Sequence, residues 1–123
     1  MMTKPIDSHP DSVLLFETAK GAVRYCPNCH RISIEFENLL VDFTLQEFLS
    51  FRHSLDLMDF EAIANQNACL PFRRKLIWEF QNACLKGAFH FDEVAELIKL
   101  IKGAELSLTH FYLRGSATNY PTN

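Results

Sequence analysis

The chain is poor in glycine. Its 123 residues include only 4 glycines, and no segment has the composition of a loop that cradles phosphate groups. No serine or cysteine lies in the sharp turn of a nucleophile elbow. The histidines and carboxylates are scattered along the chain without a spacing that brings two of them together. We therefore see no sign of a catalytic site and expect a protein without enzymatic activity.

A basic excess and long apolar runs are also missing. The chain has 12 Lys and Arg against 15 Asp and Glu, a net charge of −3, and only the segment 72–75, FRRK, is locally basic. We therefore expect no nucleic-acid binding. No apolar run reaches the length of a membrane span, and the N-terminus lacks the apolar segment of a signal peptide. The expectation is a cytoplasmic protein whose cysteines stay reduced, as thiols or as metal ligands.

Apolar residues are plentiful enough for one core. They make up 48% of the chain and include 11 phenylalanines, and a domain of this length needs no metal or disulfide to fold. Proline, aspartate and serine at one end and polar residues at the other favour loose termini. The prediction is a single domain over residues 12–113, with flexible tails at 1–11 and 114–123.

One strand–strand–helix unit stands out over residues 31–58. The segment RISIEFE alternates between apolar and polar residues, which indicates a half-buried strand. Asn38 suits a turn that tolerates positive φ, and LLVDF returns as the next strand. Thr44 and Glu47 then form the sequence pattern of a capping box, which predicts a helix.

A second unit over residues 75–102 resembles the first. Its segment IWEFQN aligns with SIEFEN, and its helix begins at His90 with Glu93 three residues on. Two such units predict an α+β fold: one antiparallel sheet built from two repeated ββα units, with both main helices packed on one face. We expect Gly103 to end the second helix and ELSLTHFYL, residues 105–113, to form a final strand.

The segment CPNCH, residues 26–30, is the most distinctive motif. If Cys26 pairs with Cys29 in a hairpin, Arg24 faces Arg31, and one sheet face collects four apolar side chains: Val23, Tyr25, Ile32 and Ile34. Pro27 cannot adopt the positive φ of a tight type I′ turn, so a type I turn opening into a wider loop is expected. The motif is therefore explained as a turn that sets two cysteines side by side at its base.

Zinc is the alternative explanation of this motif. Proline after the first cysteine resembles the knuckle of zinc ribbons, although His30 stands where those knuckles usually have glycine. Structural zinc needs four ligands, and the chain has no second C-x-x-C pair. Cys26 and Cys29 are the candidate ligands, and His30, Cys69 and Cys84 are the candidates for the remaining positions. Two copies of the chain could also share one ion.

Two other readings of the motif are weaker. The string C-x-x-C-H also attaches haem, but that chemistry requires export, for which the chain shows no signal. A redox C-x-x-C pair normally lies at the N-terminus of a helix that lowers the thiol pKa, whereas this pair lies between two expected strands.

The order of these motifs along the chain resembles that of a known protein family. The C-x-x-C string, the alternation into FENL and the capped helix TLQEF, within residues 24–58, resemble a small family of uncharacterised bacterial proteins of the Bacteroidetes type. The resemblance extends more weakly over residues 74–102. It implies a cytoplasmic bacterial protein and assigns no activity and no catalytic residue.

Three functions follow as hypotheses, the third being an enzyme whose site the sequence does not reveal. The first is a binding or interaction module that contacts a protein partner or a second copy of itself, as a homodimer formed through sheet edges or an exposed helix face. The second is a zinc-binding domain centred on Cys26 and Cys29. No other cofactor is expected.

Overall fold

The structure is a computed structural model that describes residues 12–79 and 86–119. Six strands and three helices follow one another in these ranges: β1 Val13–Glu17, β2 Gly21–Cys26, β3 Arg31–Phe36, β4 Leu39–Thr44, α1 Leu45–Leu57, α2 Phe60–Gln66, β5 Leu76–Glu79, β6 Lys86–Phe89 and α3 Phe91–Asn119. The fold class is α+β, as the sequence predicts. The predicted N-terminal tail, residues 1–11, lies outside the described residues.

Strands β1 to β4 form one antiparallel sheet in chain order. Its inner face carries the alternating apolar residues that the sequence indicates: Val23 and Tyr25 on β2 face Ile34 and Ile32 on β3, and all four are buried. The β3–β4 hairpin is tight, with Phe36 opposite Leu39. Positive φ occurs at Glu37, at 54°, and not at Asn38, the residue that we expected to provide it.

Helices α1 and α3 cover the inner face of this sheet. Helix α3 lies along β1 and β2, and helix α1 lies along β4 and β3. The capping box predicted for α1 is present, because Thr44 Oγ1 accepts from the Glu47 N–H and Glu47 Oε1 accepts from the Thr44 N–H. One apolar cluster joins sheet and helices, with its helical members at Phe48, Leu55, Val94, Leu97, Leu100, Ile101, Ala104 and Leu108.

The second hairpin departs from the prediction. Strands β5 and β6 pair with each other, with Leu76 opposite Phe89, but they form a separate two-stranded sheet. The expectation of one continuous sheet is therefore wrong. The order strand–strand–helix does occur twice, at β3–β4–α1 and β5–β6–α3. The expected turn residue Asn82 lies outside the described residues, and a duplication stays a prediction.

The last part of the chain is helical. Helix α3 begins at Phe91 and continues to Asn119, so the strand predicted over residues 105–113 is wrong, and the helix extends into the range assigned to the C-terminal tail. Gly103 lies inside the helix and does not end it. A Cβ atom there would come within 2.5 Å of the Phe16 ring, so the glycine allows α3 to approach β1 closely.

Candidate functional site

The loop of the CPNCH hairpin is longer than the predicted pairing of Cys26 with Cys29 implies. Cys26, the last residue of β2, pairs with Arg31, which leaves Pro27–His30 as a four-residue turn. Pairing of Cys26 with Cys29 was therefore wrong by two residues, and Arg24 faces Ser33 instead of Arg31. A shift of two residues keeps the alternation in phase, which is why the predicted buried face is nevertheless correct.

The two cysteines of this hairpin do lie together. Cys26 is buried and Cys29 is exposed, and none of the three cysteines in the described part of the chain forms a disulfide. A hydrogen bond with Cys26, together with partial loss of hydration, raises the pKa of the Cys29 thiol. The Cys29 thiol is therefore less readily ionised than an ordinary cysteine. A thiol is a weaker nucleophile than a thiolate, and a metal ion would have to displace its proton.

Of the other predicted ligands, His30 directly follows Cys29 in the turn, and no described residue completes a set of metal ligands with them. Cys69 is exposed beyond the end of α2, and Cys84 lies outside the described residues. Two further histidines lie elsewhere: His53 is exposed on α1, and His90 precedes α3, where its N–H donates to Glu93 Oε1. Among residues 12–79 and 86–119, no group of three or more His, Cys, Asp or Glu side chains is arranged to hold a metal ion.

A tyrosine pair connects the hairpin end of the sheet to α3. The hydroxyl groups of Tyr25 and Tyr112 are hydrogen-bonded at 2.5 Å, and the Tyr25 ring meets Phe111 edge-on at 5.6 Å between centroids. Burial, with the Tyr112 hydrogen bond as a second cause, raises the pKa of Tyr25 to about 12. The sequence does not predict this contact, because its alternating pattern places Tyr112 on a strand.

The two edges of the larger sheet differ in regularity. Strand β1 carries a bulge at Leu15, where its pairing with β2 shifts between Leu14 and Phe16. Strand β4 pairs with β3 at all six of its residues, without interruption. Within the described ranges, no strand pairs with the outer edge of β4. Its side chains on the solvent face include Leu40, which is 54% exposed.

The gap between the two sheets forms a groove of about 310 Å³. Strand β4, helix α1 and strand β5 provide its walls, through Phe43, Ser50, Phe51, Ser54, Met58, Trp78 and Glu79. The rings of Phe43 and Phe51 stack at 5.4 Å between centroids. We call it the aromatic groove. The sequence does not predict it, because its lining combines residues of β4, α1 and β5 that are distant in the chain.

A larger cleft of about 900 Å³ opens on the other side of the second hairpin. Its charged residues are largely compensated in pairs. Lys20 Nζ lies 3.2 Å from Glu37 Oε1, and Arg74 Nε lies 2.8 Å from Glu93 Oε1. The Arg74 guanidinium lowers the pKa of Glu93 to about 2. Such paired charges are typical of a structural surface and do not favour an anionic ligand over a cationic one.

Comparison with known proteins assigns the chain to a family. A family of unknown function, DUF6686, matches residues 10–122. The chain belongs to this family. The resemblance to uncharacterised proteins in the sequence analysis is thus confirmed at the level of an uncharacterised family. No curated protein and no solved structure matches the chain.

In the described part of the chain, no helix combines the length and the apolar character that crossing a bilayer requires.

Proposed function

We propose that this DUF6686 protein is a non-enzymatic interaction module that forms a homodimer through strand β4. The observation that carries the proposal is the regular outer edge of β4, to which no described strand is hydrogen-bonded. An edge of this kind presents a row of backbone donors and acceptors to another strand. Two β4 strands related by a twofold axis pair in antiparallel fashion and join the two sheets.

The composition of β4 supports this choice of edge. Natural sheets protect their edges with lysine, proline or bulges. Strand β4, LLVDFT, has no lysine and no proline, whereas β1 is interrupted by its bulge. Asp42 is the only charged residue of β4, and it accepts a hydrogen bond from Ser33 Oγ at 2.6 Å. The bulged β1 is therefore the protected edge, and β4 is the edge that lacks these protective features.

The two edges offer a matched pair of variants. Leu40 on β4 and Leu14 on β1 are both exposed. Light scattering coupled to size exclusion should give about twice the chain mass of 14.2 kDa for the unmodified protein. Leu40→Lys should give the monomer mass, because lysine blocks edge pairing, and Leu14→Lys should leave the dimer intact. A monomer at millimolar concentration, or equal effects of both substitutions, contradicts the proposal.

Zinc binding is a second candidate, which one observation favours. His30 has φ of 54°, the left-handed conformation that glycine provides most readily. His30 occupies the position where zinc knuckles usually have glycine, and the Cys26 and Cys29 thiols lie close enough for a hydrogen bond, which supports this candidate. A tetrahedral site needs four ligands, so two hairpins from two chains would have to share the ion.

Metal analysis tests this second candidate. Protein purified without chelator should contain one zinc per two chains, and Cys29→Ser should lose it. Cys69→Ser removes another exposed thiol and should keep the metal content unchanged. Absence of zinc after incubation with excess metal at neutral pH, or equal loss in both variants, rejects the zinc site.

We also infer a cytoplasmic location in a bacterial cell. Two features support the inference: the described cysteines form no disulfide, and the resemblance of the sequence motifs is to bacterial proteins. Localisation of a tagged copy by cell fractionation tests it, and recovery in the membrane or periplasmic fraction would contradict it.

A further inference from the structure

We propose that the Cys26–Cys29 pair is a modification site, at which a small disulfide oxidises the two thiols to a reversible intramolecular disulfide. The structure shows the reduced state, in which neither cysteine forms a disulfide. The site is separate from the β4 edge, since both cysteines belong to the β2–β3 hairpin of one chain. This hairpin then responds to the thiol–disulfide balance around the protein.

The turn between β2 and β3 brings the two sulfur atoms together. Cys26 ends β2, and Cys29 is the third residue of the turn 27–30. A hydrogen bond joins the two thiols, so their side chains already point toward each other. A disulfide requires converging side chains on residues whose Cα atoms lie about 4.4–6.8 Å apart, and residues three apart in a tight turn meet this spacing. The covalent bond therefore replaces the hydrogen bond with little movement of the backbone.

Burial gives the two thiols different roles in the reaction. Cys29 is exposed, whereas Cys26 is only 6% exposed at the end of its strand. A shallow hollow of about 620 Å³ lies beside Cys29 and has the exposed Arg31 in its lining. Arginine attracts carboxylates, which small thiol peptides such as glutathione carry. A small disulfide therefore reaches Cys29 first, and Cys26 is the thiol that acts second.

The reaction is an exchange in two steps, with glutathione disulfide as the oxidant. The Cys29 thiolate attacks one sulfur of glutathione disulfide, which breaks the S–S bond and releases one glutathione thiolate. The Cys26 thiolate then attacks the Cys29 sulfur, closes the Cys26–Cys29 bond and releases the second glutathione. The protons of the two cysteine thiols pass to the two glutathione molecules. The cysteine pair loses two electrons, and the oxidant takes them up.

The hydrogen bond between the thiols separates this modification from catalysis of disulfide exchange. It raises the pKa of the Cys29 thiol, so the thiolate that starts the exchange forms less readily. Catalysts of exchange rely on a lowered thiol pKa, which makes their cysteine a good leaving group. A pair without that property oxidises slowly and keeps its disulfide until a reductant removes it.

Trypsin makes the modification measurable at each cysteine. Cleavage after lysine and arginine places Cys26 and Cys29 together in the peptide of residues 25–31, and Cys69 and Cys84 in two other peptides. The protein is incubated with glutathione disulfide and a chelator at neutral pH, and is then alkylated and digested. Peptide 25–31 should be about 2 Da lighter than its reduced form, without alkyl label or glutathione. Cys69 should carry glutathione, because no C-x-x-C partner resolves it.

Single substitutions test the two roles. Cys26→Ser should accumulate glutathione on Cys29, because the second step is removed. Cys29→Ser should leave Cys26 unmodified, because the remaining thiol is buried. Cys69→Ser is the matched control and should oxidise as the unmodified protein does. If Cys26→Ser does not fold, Cys29→Ser and the peptide masses of the unmodified protein decide the question without it.

The fold should favour the disulfide, and the disulfide should favour the fold. At a fixed glutathione concentration, the folded protein should need roughly tenfold less glutathione disulfide to oxidise the pair than the urea-unfolded chain, since the turn holds the thiols together. The two equilibria form a thermodynamic cycle. The free energy of unfolding should therefore be about 1.4 kcal/mol higher for the oxidised protein, which is the same tenfold factor.

Three results would overturn the proposal. The first is glutathione on Cys29 of the unmodified protein at the level found on Cys69, which would show that Cys26 does not act second. The second is a disulfide that joins Cys29 to Cys69 or Cys84. The third is the same oxidation equilibrium in the folded and the unfolded chain, which would show that the turn does not hold the two thiols in place.

Discussion

At the residue scale, Gly21 occupies the most restricted position among the glycines with described surroundings. A Cβ atom there would come within 2.1 Å of the Glu35 carbonyl oxygen on the paired strand β3. Because both atoms belong to a hydrogen-bonded pair of strands, the clash cannot be relieved by a side-chain rotation. Gly21→Ala should lower the free energy of unfolding by about 3 kcal/mol, measured by urea denaturation.

Gly103→Ala is the matched control for this prediction. There the added Cβ atom meets the Phe16 ring, which is only half-buried and can turn aside. Alanine also gains about 1 kcal/mol of helix propensity over glycine. The net change should stay within about 1 kcal/mol. Equal destabilisation by the two substitutions would show that the backbone contact at Gly21 is not limiting.

Single residues also show where sequence reasoning stops. The pattern of β3 predicts its buried face correctly, because alternation is a local property. The loops were less predictable: positive φ falls on His30 and Glu37, whereas Asn38 was expected. Loop conformation follows from the register between strands, and a register shift of two residues leaves the apolar pattern unchanged.

At the element scale, α3 provides a direct test of helix against strand. In a strand Leu106 and Leu108 share a face, whereas in a helix they do not. Leu108 is 4% exposed and Leu106 is 62% exposed. Leu108→Ala should therefore cost about 3 kcal/mol of unfolding free energy, and Leu106→Ala less than about 0.5 kcal/mol. Similar losses from both substitutions would favour the strand.

The strand prediction failed because two periods coexist in this segment. Leu106, Leu108 and Tyr112 alternate over a short stretch, but the buried residues from Val94 onward recur every three or four positions, as in any amphipathic helix. The local pattern alone predicts a helix end at Gly103. What distinguishes this position is the close approach of the Phe16 ring to the glycine. The two residues are 87 positions apart, and sequence patterns do not reveal such a contact.

The start of α3 is stabilised by Glu93 in a pH-dependent way. Its carboxylate accepts from the Arg74 guanidinium and from the His90 N–H, and Arg74 is the main cause that lowers the pKa of Glu93 to about 2 from 4.5. A lowered pKa stabilises the folded state above pH 4.5, and this contribution is lost as the pH falls toward 2. The pair is partly exposed, so the contribution is at most about 1 kcal/mol.

Urea midpoints between pH 7 and pH 2 measure this contribution. Glu93→Gln should be less stable than the unmodified protein at pH 7, and the two should converge near pH 2. Glu96→Gln, one turn along α3 and outside the ion pair, should run parallel to the unmodified protein. A constant difference between Glu93→Gln and the unmodified protein at all pH values would mean that the ionised carboxylate does not provide the stability.

At the scale of the whole molecule, the sequence predicts the parts better than their assembly. Two hairpins, the capped helices and the α+β class follow from local patterns. The separation of the two sheets does not, since it depends on how the second hairpin packs: Phe89 meets Phe36 at 6.2 Å and stacks on Trp78 at 4.6 Å between ring centroids. The C-x-x-C motif spans only four residues and can therefore be recognised in the sequence. The aromatic groove cannot, because its lining comes from β4, α1 and β5.

The separation of the sheets raises the question of whether the molecule unfolds in one step. Leu76 and Phe89 of the smaller sheet belong to the same apolar cluster as the residues of the larger sheet and of α3. A shared core makes the sheets unfold together. Trp78 fluorescence, which reports on the smaller sheet, and circular dichroism at 222 nm, which reports mainly on the helices, should therefore give the same urea midpoint, with or without chelator. An earlier fluorescence transition would show that the smaller sheet opens on its own, and a lower midpoint with chelator would show that a metal ion, and not the apolar core alone, holds the fold.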